Sequence, residues 1–420
     1  MGRPRVVIVG AGFGGLACAK ALAGKPVDVV VIDRNNYHLF TPLLYQVASS
    51  LLNPSDIAHP VRAVFRGRGN VRFVQGEVTG VDFEGRAVRL EGGADEQYDQ
   101  LVLAVGSTTN FFGVNGAEDR ALGLKDLGEA LELRNHVLEC LERASRSEES
   151  EERERFLTFV VAGGGPTGVE YAGALSELLK LVVPREYPEL ATSRWRIVLV
   201  EGLPRLLNAF PERLGEKAAK ELRQKGIDVR VGTRVAGAEP GRVTLEGGTP
   251  IAAETLVWAA GVRPAGLAGA LAVARSRSGR VEVDEALRVR GLGGVYAIGD
   301  VASLEQDGRE VPMLSAPAMQ EGRHAAANIL RDVGGEPPKR FRYRDKGSMA
   351  TIGRNDAVAQ IGRVQLTGFA GWVAWLVVHL YYLIGFRNRL AVLLGWAWNY
   401  IRLDRPVRII ARARDRRARD

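Results

Sequence analysis

Short runs of consecutive apolar residues, each followed by glycines and then by an alanine-rich stretch, mark two places in the chain. The run VVIV precedes GAGFGGLACAKAL, and FVVA precedes GGGPTGVEYAGAL about 150 residues later. An unbroken apolar run is typical of a strand buried on both faces of a parallel sheet, and the alanine-rich stretch predicts a helix. The pattern therefore predicts an α/β fold with two similar strand–turn–helix units.

The glycines of both turns follow the spacing G-x-G-x-x-G. They are Gly10, Gly12 and Gly15 in the first turn, with Gly14 beside them, and Gly163, Gly165 and Gly168 in the second. Glycine lets the backbone approach a pyrophosphate, and the N-terminus of the following helix attracts its charge. Two such turns predict two bound dinucleotides; two purely structural glycine turns are the alternative.

An acidic residue follows the second strand pattern of each unit. Asp33 ends VDVVVID and is followed by Arg34, while Glu201 ends WRIVLVE. A carboxylate at this place accepts hydrogen bonds from an adenosine ribose and repels a 2′-phosphate. Glu201 therefore predicts a preference for NADH over NADPH.

The spacing between glycine and acid differs between the two units. It is 23 residues from Gly10 to Asp33 but 38 residues from Gly163 to Glu201. The longer spacing, with two prolines in the segment 181–195, predicts an inserted loop there.

The order of these patterns predicts two Rossmann-like dinucleotide-binding domains, one inserted in the other. LVLAVGS with Gly106 and LVWAAGVRP with Gly261 end the two units, and VYAIGD returns to a strand pattern. The predicted boundaries are 1–115 with 265–330 for a discontinuous first dinucleotide-binding domain, 116–264 for the second, and 331–420 for a C-terminal region.

Positive charge is concentrated at the C-terminus. The net charge of the 420 residues is +8, yet residues 331–420 contain 18 Lys and Arg against 7 Asp and Glu. Four of the six tryptophans also lie there. A basic, tryptophan-rich segment suits either nucleic acid or an anionic membrane surface. The intervening apolar stretches favour the membrane, and we expect no nucleic-acid partner.

Two apolar stretches in this segment predict membrane attachment. Residues 366–386 carry no formal charge, and residues 390–401 are too few to span a bilayer. Arg387 and Arg389 separate them, and the arginines that follow are Arg402, Arg405, Arg408, Arg412, Arg414, Arg416, Arg417 and Arg419. Two amphipathic helices lying in the interface are favoured over a single span, which would bury His379 in hydrocarbon.

The motifs together resemble those of type II NADH:quinone oxidoreductases, within the flavoproteins that bind two dinucleotides. The most specific are FTPLLYQVAS (40–49), GGGPTGVE (163–170), AMQEG (318–322), DKGSMATIGR (345–354) and HLYYLIGFRNR (379–389). The resemblance implies FAD on the first glycine turn, NADH on the second, and a quinone as electron acceptor. It also implies a peripheral, monotopic position on the cytoplasmic face of the cell membrane and no proton pumping.

The resemblance also implies roles for particular residues. Gly299 and Asp300 would hold the ribityl chain of the flavin. Glu170 would relay a proton or set the hydride geometry, Gln320 would face the quinone, and Lys346 would stabilise reduced, anionic flavin. Three further residues are expected along the flavin: Thr41, Pro42 and Ala318. The alternatives are a helix-dipole role for Glu170, a structural turn at Pro42 and a surface position for Lys346.

One departure concerns the quinone. Many relatives have the pattern A-Q-x-x-x-Q, whereas the run here is SAPAMQ, so that Ala316 replaces the first glutamine. The identity of the native quinone therefore stays open. Whether two copies of the chain associate into a homodimer is a separate open question.

Three other classes share parts of this pattern. A sulfide:quinone oxidoreductase needs redox-active cysteines near its flavin, and Cys18 and Cys140 lack suitable spacing. A soluble NAD(P)H:acceptor flavoenzyme would use the C-terminal segment for oligomerisation. A flavin-binding redox sensor would not turn over. The histidines show no metal-ligand spacing, so we expect no metal site.

Overall fold

The structure, a computed structural model, describes residues 2–248, 250–402 and 404–411. Five arginines of the predicted basic tail, from Arg412 onward, lie outside these residues. The chain divides into two compact units. The first unit contains residues 1–39, 58–108 and 262–346, and the second contains residues 40–57, 109–261 and 347–420.

The first unit is built on a five-stranded parallel sheet, whose strands in spatial order are Val295–Ala297, Gln100–Leu103, Arg5–Val9, Asp28–Asp33 and Val71–Gln75. Its strands are β1 (Arg5–Val9), β2 (Asp28–Asp33), β3 (Tyr37–Leu39), β4 (Ala58–Pro60), β5 (Val71–Gln75), β6 (Val78–Asp82), β7 (Ala87–Leu90), β8 (Glu96–Gln97), β9 (Gln100–Leu103), β10 (Ser107–Thr109), β19 (Val262–Pro264), β20 (Val281–Glu282), β21 (Val295–Ala297), β22 (Ala302–Ser303), β23 (Glu305–Gln306) and β24 (Arg309–Glu310). Its helices are α1 (Phe13–Leu22), α4 (Val61–Val64), α10 (Gly266–Ala270) and α11 (Ser315–Val333), with a 3₁₀ turn at Gly299–Val301.

The second unit repeats this plan with a second five-stranded parallel sheet, whose strands in spatial order are Leu122–Gly123, Thr255–Trp258, Thr158–Ala162, Arg196–Glu201 and Asp228–Val231. Its strands are β11 (Leu122–Gly123), β12 (Thr158–Ala162), β13 (Arg196–Glu201), β14 (Asp228–Val231), β15 (Val235–Glu239), β16 (Arg242–Leu245), β17 (Ile251–Ala252), β18 (Thr255–Trp258), β25 (Ser348–Gly353), β26 (Asp356–Ile361) and β27 (Val364–Thr367). Its helices are α2 (Leu44–Ala48), α3 (Pro54–Ile57), α5 (Ala117–Arg120), α6 (Leu127–Arg146), α7 (Ser150–Phe156), α8 (Pro166–Glu186), α9 (Glu212–Gln224), α12 (Gly368–Tyr382) and α13 (Phe386–Arg402), with 3₁₀ turns at Thr41–Leu43 and Pro188–Leu190.

The strands form where the apolar runs predict them. Val6 to Val9 of β1 and Phe159 to Ala162 of β12 are buried, as expected for central strands covered on both faces. Because β1 lies between β2 and β9, and β12 between β13 and β18, the carboxyl end of each central strand is at the middle of its sheet. Ligands of open α/β sheets bind at such carboxyl ends. The α/β fold predicted from the sequence is confirmed.

The compact units differ from the predicted domain boundaries in several places, and residues 331–346, predicted in the C-terminal region, belong to the first unit. Residues 40–57 belong to the second unit, although they lie between strands of the first. The C-terminal segment from Gly347 is also part of the second unit, because strand β25 lies against helix α8. A Cβ on Gly173 of α8 would meet the Ile352 carbonyl oxygen of β25 at 2.3 Å, so the glycine permits this close approach.

The loop predicted over 181–195 is wrong for its first part. Helix α8 continues to Glu186 and contains Pro184. Proline is tolerated near a helix end only where the lost N–H bond is offset, and here burial of Val182 and Val183 stabilises the last turn. The long spacing before Glu201 therefore comes mainly from a long helix.

The C-terminal segment folds as two helices, as predicted, but the break between them lies before Phe386, so that Arg387 and Arg389 are in α13 rather than between the helices. Helix α12 covers 15 residues and α13 covers 17 residues. Within the described residues, no helix has both the length and the apolar character needed to cross a bilayer.

Candidate functional site

The first glycine turn joins β1 to α1. Backbone atoms crowd Gly10 and Gly15, whereas the space beside Gly12 is open. Gly10 has a φ of +106°, and its N–H donates to the Ile32 carbonyl at 2.7 Å. A Cβ on Gly15 would lie 1.9 Å from the Gly10 carbonyl oxygen, whereas a Cβ on Gly12 would meet no atom within 4 Å. Gly10 and Gly15 are thus required by the turn itself. Gly12 leaves the backbone open at the N-terminus of α1, where a pyrophosphate binds.

Two polar side chains lie beside this turn. Asp33 accepts hydrogen bonds from the N–H groups of Ala11 at 2.6 Å and Asn35 at 2.8 Å. His38 is buried, and its Nδ1 donates to the Ala11 carbonyl at 2.9 Å. Burial lowers the pKa of His38 to about 4, so the ring is neutral. Its Nε2 is then a buried acceptor, and it has no partner among the described residues. A hydroxyl donor of a bound nucleotide would fit it.

A second polar group of the first unit surrounds Asp300. The hydroxyl of Ser107 donates to Asp300 Oδ2 at 2.5 Å. Gly299 has a φ of +74°, and its N–H donates to Glu321 Oε2 at 2.5 Å. Burial raises the pKa of Glu321 to about 7. Glu321 therefore fixes the turn that presents Asp300. Gly106 lies next to Ser107, with a φ of +72° and no atom within 4 Å of a built Cβ.

Helix α11 carries Glu321 and packs closely on α1. A Cβ on Gly322 would lie 2.2 Å from the Gly14 carbonyl oxygen, and a Cβ on Gly14 would lie 3.2 Å from the Ala318 carbonyl oxygen. Ala318 is buried at this contact. The predicted residues Gly10, Gly12, Gly14, Gly15, Asp33, Gly106, Gly299, Asp300 and Ala318 all lie in the first unit. The open Gly12 backbone and the unpartnered His38 acceptor fit a dinucleotide such as FAD.

The second glycine turn repeats the geometry of the first. Gly163 has a φ of +109°, and a Cβ on Gly168 would lie 1.8 Å from the Gly163 carbonyl oxygen. A Cβ on Gly165, which caps α8, would meet no atom within 4 Å. The same open backbone therefore occurs at the N-terminus of α8.

Glu201 holds the second turn as Asp33 holds the first. Its Oε2 accepts from the Gly164 N–H at 2.6 Å, and its Oε1 accepts from the Leu203 N–H at 2.7 Å. The carboxylate therefore lies beside the backbone at which a pyrophosphate would bind. At the end of β18, Gly261 leaves room for Phe112, whose ring would lie 2.7 Å from a Cβ on that glycine. These residues fit NADH.

Glu170 lies in the second turn of α8, and its carboxyl is buried. Its Oε1 accepts from the Thr351 N–H and from the Trp375 indole Nε1, each at 3.2 Å. Burial raises the pKa of Glu170 to about 8, and these two hydrogen bonds oppose the rise. A carboxyl with this pKa is protonated at neutral pH. Because its pKa is close to neutral pH, it can also donate that proton to a reacting group.

The other predicted residues lie elsewhere. Gln320 clamps the backbone of Arg344: its Nε2 donates to the carbonyl at 3.0 Å and its Oε1 accepts from the N–H at 3.1 Å. Lys346 and Arg34 are exposed. Thr41 and Pro42 open a 3₁₀ turn in the second unit. The structure therefore groups Gln320 and Lys346 with the first unit and Thr41 and Pro42 with the second.

The two cysteines are buried and lie in different units. Burial raises the pKa of each thiol to about 12, so neither forms the reactive thiolate at neutral pH. This chemistry does not suit the redox-active pair of a sulfide:quinone oxidoreductase.

Helices α12 and α13 each present an apolar face to solvent. The exposed side chains of α12 recur every fourth residue, and those of α13 follow a helical spacing: they are Phe369, Val373, Val377 and Tyr381, then Phe386, Leu390, Leu393, Leu394, Trp398 and Ile401. The opposite faces bury Trp375 of α12 and Val392 of α13. Helix α13 is amphipathic, whereas α12 is apolar around most of its circumference and so departs from the predicted amphipathic pattern. Apolar side chains exposed on surface helices are typical of helices that lie in a membrane interface.

Long-range partners of these helices were not predicted from the sequence. Trp375 bonds Glu170, and Trp396 Nε1 donates to Gln46 Oε1 at 2.8 Å. Gln46 Nε2 in turn donates to the Tyr45 hydroxyl at 2.8 Å. The only local signal for Trp375 and Trp396 was the high tryptophan content of the segment.

The repeated parallel sheet and the two open glycine turns define an oxidoreductase fold for two dinucleotides. The model of the pyridine nucleotide-disulphide oxidoreductase family matches residues 4–322, and that of the NDH2 C-terminal domain matches residues 346–402. The chain belongs to the type II NADH:quinone oxidoreductases within that family.

Known proteins support this placement. The chain is 38% identical over 413 residues to the type II NADH:quinone oxidoreductase Ndh of Mycobacterium tuberculosis, covering 95% of this chain and 88% of the relative. It is 30% identical over 374 residues to the type II NADH:quinone oxidoreductase of Staphylococcus aureus, covering 86% and 90%. The structure of NDH2 from Plasmodium falciparum in complex with NADH shares the fold, with a TM-score of 0.89, 22% identity and coverage of 98% and 100%.

Proposed function

We propose that the first unit holds FAD and the second holds NADH, and that the chain oxidises NADH with a membrane quinone as electron acceptor. Bound FAD supplies the redox chemistry, because it accepts the hydride of NADH and returns two electrons to the quinone. The repeated open glycine turn, with an acid beside each copy, is the observation that carries this proposal. The chain is a membrane-associated flavoprotein, as its family and the apolar faces of α12 and α13 indicate.

Asp300 is proposed to hold the ribityl chain, with Ser107 and Glu321 fixing its position. Replacing Asp300 with Ala removes an anionic acceptor, so we expect FAD to bind about 10- to 100-fold more weakly. The measurement is the ratio of flavin to protein after purification and dialysis. Asp307→Ala is the matched control, because Asp307 is an exposed aspartate of the same unit. Full retention of flavin by Asp300→Ala would remove Asp300 from the site.

Glu201 is proposed to bind the adenosine ribose of NADH. A 2′-phosphate beside this carboxylate would bring like charges together, so we expect kcat/KM for NADH to exceed that for NADPH at least about tenfold. Glu201→Gln removes the repulsion and keeps an oxygen acceptor for the glycine turn, so the two kcat/KM values should converge. Equal kcat/KM for both nucleotides in the unaltered chain would contradict the assignment.

Glu170 is proposed to hold a proton that quinone reduction consumes. Oxidation of NADH releases a hydride, and reduction of a quinone to a quinol takes up that hydride equivalent and one further proton. A buried carboxyl that is protonated at neutral pH suits the donation of this proton. A donor must be protonated to act, so activity that depends on Glu170 falls as pH rises through the pKa of about 8.

Trp375 is proposed to position Glu170 and to tune its pKa. The indole bond favours the carboxylate form, so its loss in Trp375→Phe should raise the pKa of Glu170 further. We expect the alkaline limb of the kcat profile to move to higher pH by about one unit. Trp372→Phe, on the same helix but not bonded to Glu170, should leave the limb in place. Glu170→Gln should abolish it, and an unchanged limb in Glu170→Gln would exclude this carboxyl as the donor.

For Gln320 we propose a structural role in place of the quinone contact expected from the sequence, whereas Lys346, Thr41 and Pro42 keep their predicted roles as proposals. Gln320 contacts the backbone of Arg344 through both of its amide atoms, which supports a role in holding the segment that contains Lys346. Lys346 is proposed to stabilise reduced, anionic flavin, and Thr41 and Pro42 to line it. Ala316 in place of a glutamine makes the quinone contact different from that of many relatives.

The side of the membrane and the lipid preference are also proposals. NADH is a cytoplasmic reductant, so the apolar faces of α12 and α13 would rest on the cytoplasmic face of the membrane. Arg387, Arg389 and Arg402 flank these faces and would attract anionic lipids. Association into a homodimer stays a prediction that sedimentation of detergent-solubilised protein would test.

Steady NADH oxidation by membranes with a quinone as electron acceptor distinguishes the proposed function from a soluble flavoenzyme and from a redox sensor. Isolated membranes that contain the chain should oxidise NADH with menaquinone or ubiquinone analogues, and the faster analogue identifies the quinone class. A soluble flavoenzyme would stay in the supernatant without detergent at low salt. A redox sensor would reduce its flavin once and then stop.

A further inference from the structure

The second unit contains a pocket that the proposed reaction does not use as a whole. It lies among helices α8, α12 and α13 and the segment that follows α13. Glu170 lies on its wall, and the other polar residues that line it include Glu177, Arg354, Asn399 and Arg405. These residues are far apart in sequence and are brought together by the fold.

Arg405 is the most unusual member of the pocket. Its side chain is only 1% exposed, and its Nη2 donates to Glu177 Oε2 at 2.9 Å. Its Nε and Nη1 are buried and have no hydrogen-bond partner in the described part of the chain. A buried guanidinium with unmet donors costs free energy unless another acceptor satisfies them.

Two further buried atoms at this pocket also lack partners. Within the described residues, neither Arg354 Nε nor Asn399 Oδ1 makes a hydrogen bond. Arg354 is otherwise engaged, because its Nη2 donates to the Tyr400 carbonyl and its guanidinium lies over the Tyr400 ring at 4.2 Å. Several unmet polar atoms on one pocket indicate a site built for a polar group.

The charges of the pocket favour an anion as that group. Arg354 and Arg405 supply two positive charges. The carboxylate of Glu177 is shared between Arg405 and Lys225, whose Nζ lies 3.6 Å away. Glu170, with its raised pKa, contributes no negative charge at neutral pH. The positive charge of the pocket therefore exceeds its negative charge. An anionic oxygen would neutralise this excess and form stronger hydrogen bonds with the arginines than a neutral carbonyl oxygen would.

The remaining wall is aromatic and continues to the apolar face. It includes Trp372, Trp375, Trp396 and Tyr400. Tyr400 is 41% exposed, and its neighbour Ile401 on the apolar face of α13 is 76% exposed. The pocket thus joins cationic donors to a surface suited to acyl chains.

We propose that this pocket binds the phosphate head group of an anionic lipid, with the phosphate oxygens on Arg405 and Arg354 and the acyl chains along the aromatic wall. The proposal rests on the membrane association proposed above. It adds one specific lipid site to the general attraction of basic residues for an anionic surface.

Binding can be measured with a short-chain lipid below its micelle concentration. Full-length protein with bound FAD is titrated with dihexanoylphosphatidylglycerol while tryptophan fluorescence is followed. We expect a saturable change, with binding about tenfold or more tighter than for dihexanoylphosphatidylcholine, whose choline cation would meet the arginines. Inorganic phosphate tests the alternative source of the same chemistry; we expect it to bind more weakly, because it lacks acyl chains. Phosphate binding as tight as the lipid would contradict the lipid assignment.

Variants separate the site from a general charge effect. Arg405→Gln should weaken phosphatidylglycerol binding about tenfold or more, because charged hydrogen bonds are lost. Arg354→Gln, on a partly exposed side chain, should weaken it in the same direction and serves if Arg405→Gln fails to fold. Arg363→Gln is the control: Arg363 is exposed in the turn between β26 and β27, does not line the pocket, and its loss should leave lipid binding unchanged.

Other outcomes would overturn the proposal. Equal binding by both pocket-arginine variants and the unaltered chain would place the lipid elsewhere. Displacement of the lipid by a short-chain quinone analogue would assign the pocket to the quinone. The absence of any saturable fluorescence change would mean that ordered water, and no lipid, satisfies the polar atoms of the pocket. These results are independent of NADH oxidation. Loss of turnover with intact lipid binding would instead contradict the proposed function and leave this site standing.

Discussion

Replacing Val377 and Leu394 together with Glu should reduce binding to anionic vesicles by about a hundredfold or more. These side chains are 62% and 60% exposed on the apolar faces of α12 and α13. Burying one such side chain contributes about 1.5–3 kcal/mol, so losing two costs about 3–6 kcal/mol, before the cost of the added charges. Each 1.4 kcal/mol is about a tenfold change in affinity. Cosedimentation with vesicles at fixed lipid concentration measures the loss.

A charge placed elsewhere is the control for this variant. Val333→Glu changes an exposed apolar residue of α11 in the first unit and should leave vesicle binding intact. High salt should loosen the unaltered protein without releasing it, because about 1 M salt shortens the Debye length to about 3 Å but does not weaken apolar burial. If the double variant still sediments with vesicles, the membrane-binding surface lies elsewhere.

Point variants test attachment more cleanly than truncation does. Removing α12 and α13 would also remove Trp375 from Glu170 and Arg405 from Glu177. It would further remove Asn388, whose Nδ2 donates to the Ser55 and Asp56 carbonyls at 3.1 Å. Loss of activity after truncation would therefore have several causes.

Alanine at two glycines of the second turn, Gly165 and Gly168, should affect different properties: Gly168→Ala the stability of the fold, and Gly165→Ala the activity with NADH. In Gly168→Ala, the new Cβ would lie 1.8 Å from the Gly163 carbonyl oxygen, so the backbone must shift. We expect the free energy of unfolding to fall by about 3 kcal/mol or more. In Gly165→Ala, the backbone has a φ of −71° and a ψ of −179°, which any residue adopts, and the Cβ meets nothing within 4 Å. This variant should fold normally.

Gly165→Ala should nevertheless lose activity with NADH. Its methyl group would occupy the space at the helix N-terminus where the pyrophosphate binds. We expect kcat/KM for NADH to fall about a hundredfold, which corresponds to about 2.7 kcal/mol of lost binding. Flavin content and thermal unfolding should match those of the unaltered chain. Normal NADH kinetics in Gly165→Ala would show that no pyrophosphate binds this turn.

The sequence predicted the parts of the fold that depend on local pattern. Gly10 and Gly163 were identifiable because a turn between strand and helix needs a positive φ and a close backbone approach. Asp33 and Glu201 were identifiable because each ends an apolar run. The two C-terminal helices followed from charge-free apolar stretches bounded by arginines. In each case a few neighbouring residues carried the signal.

The remaining features depend on contacts between distant segments. Trp375 reaches Glu170 across 205 residues, and Arg405 reaches Glu177 across 228 residues. Neither pair has a fixed spacing that a sequence pattern could reveal. The membership of residues 40–57 in the second unit likewise comes from packing, since Gln46 bonds Trp396 on α13. Gln320 could not be placed on the Arg344 backbone for the same reason.

The most direct test of the central claim is rapid mixing of the purified FAD-bound protein with NADH in the absence of oxygen, followed by mixing with a quinone analogue. The flavin absorbance should bleach on the first mixing, more slowly with NADPH than with NADH, and should return on the second mixing with formation of one quinol per NADH. Bleaching without return, or no bleaching by NADH, would contradict the assignment of this chain as an NADH:quinone oxidoreductase.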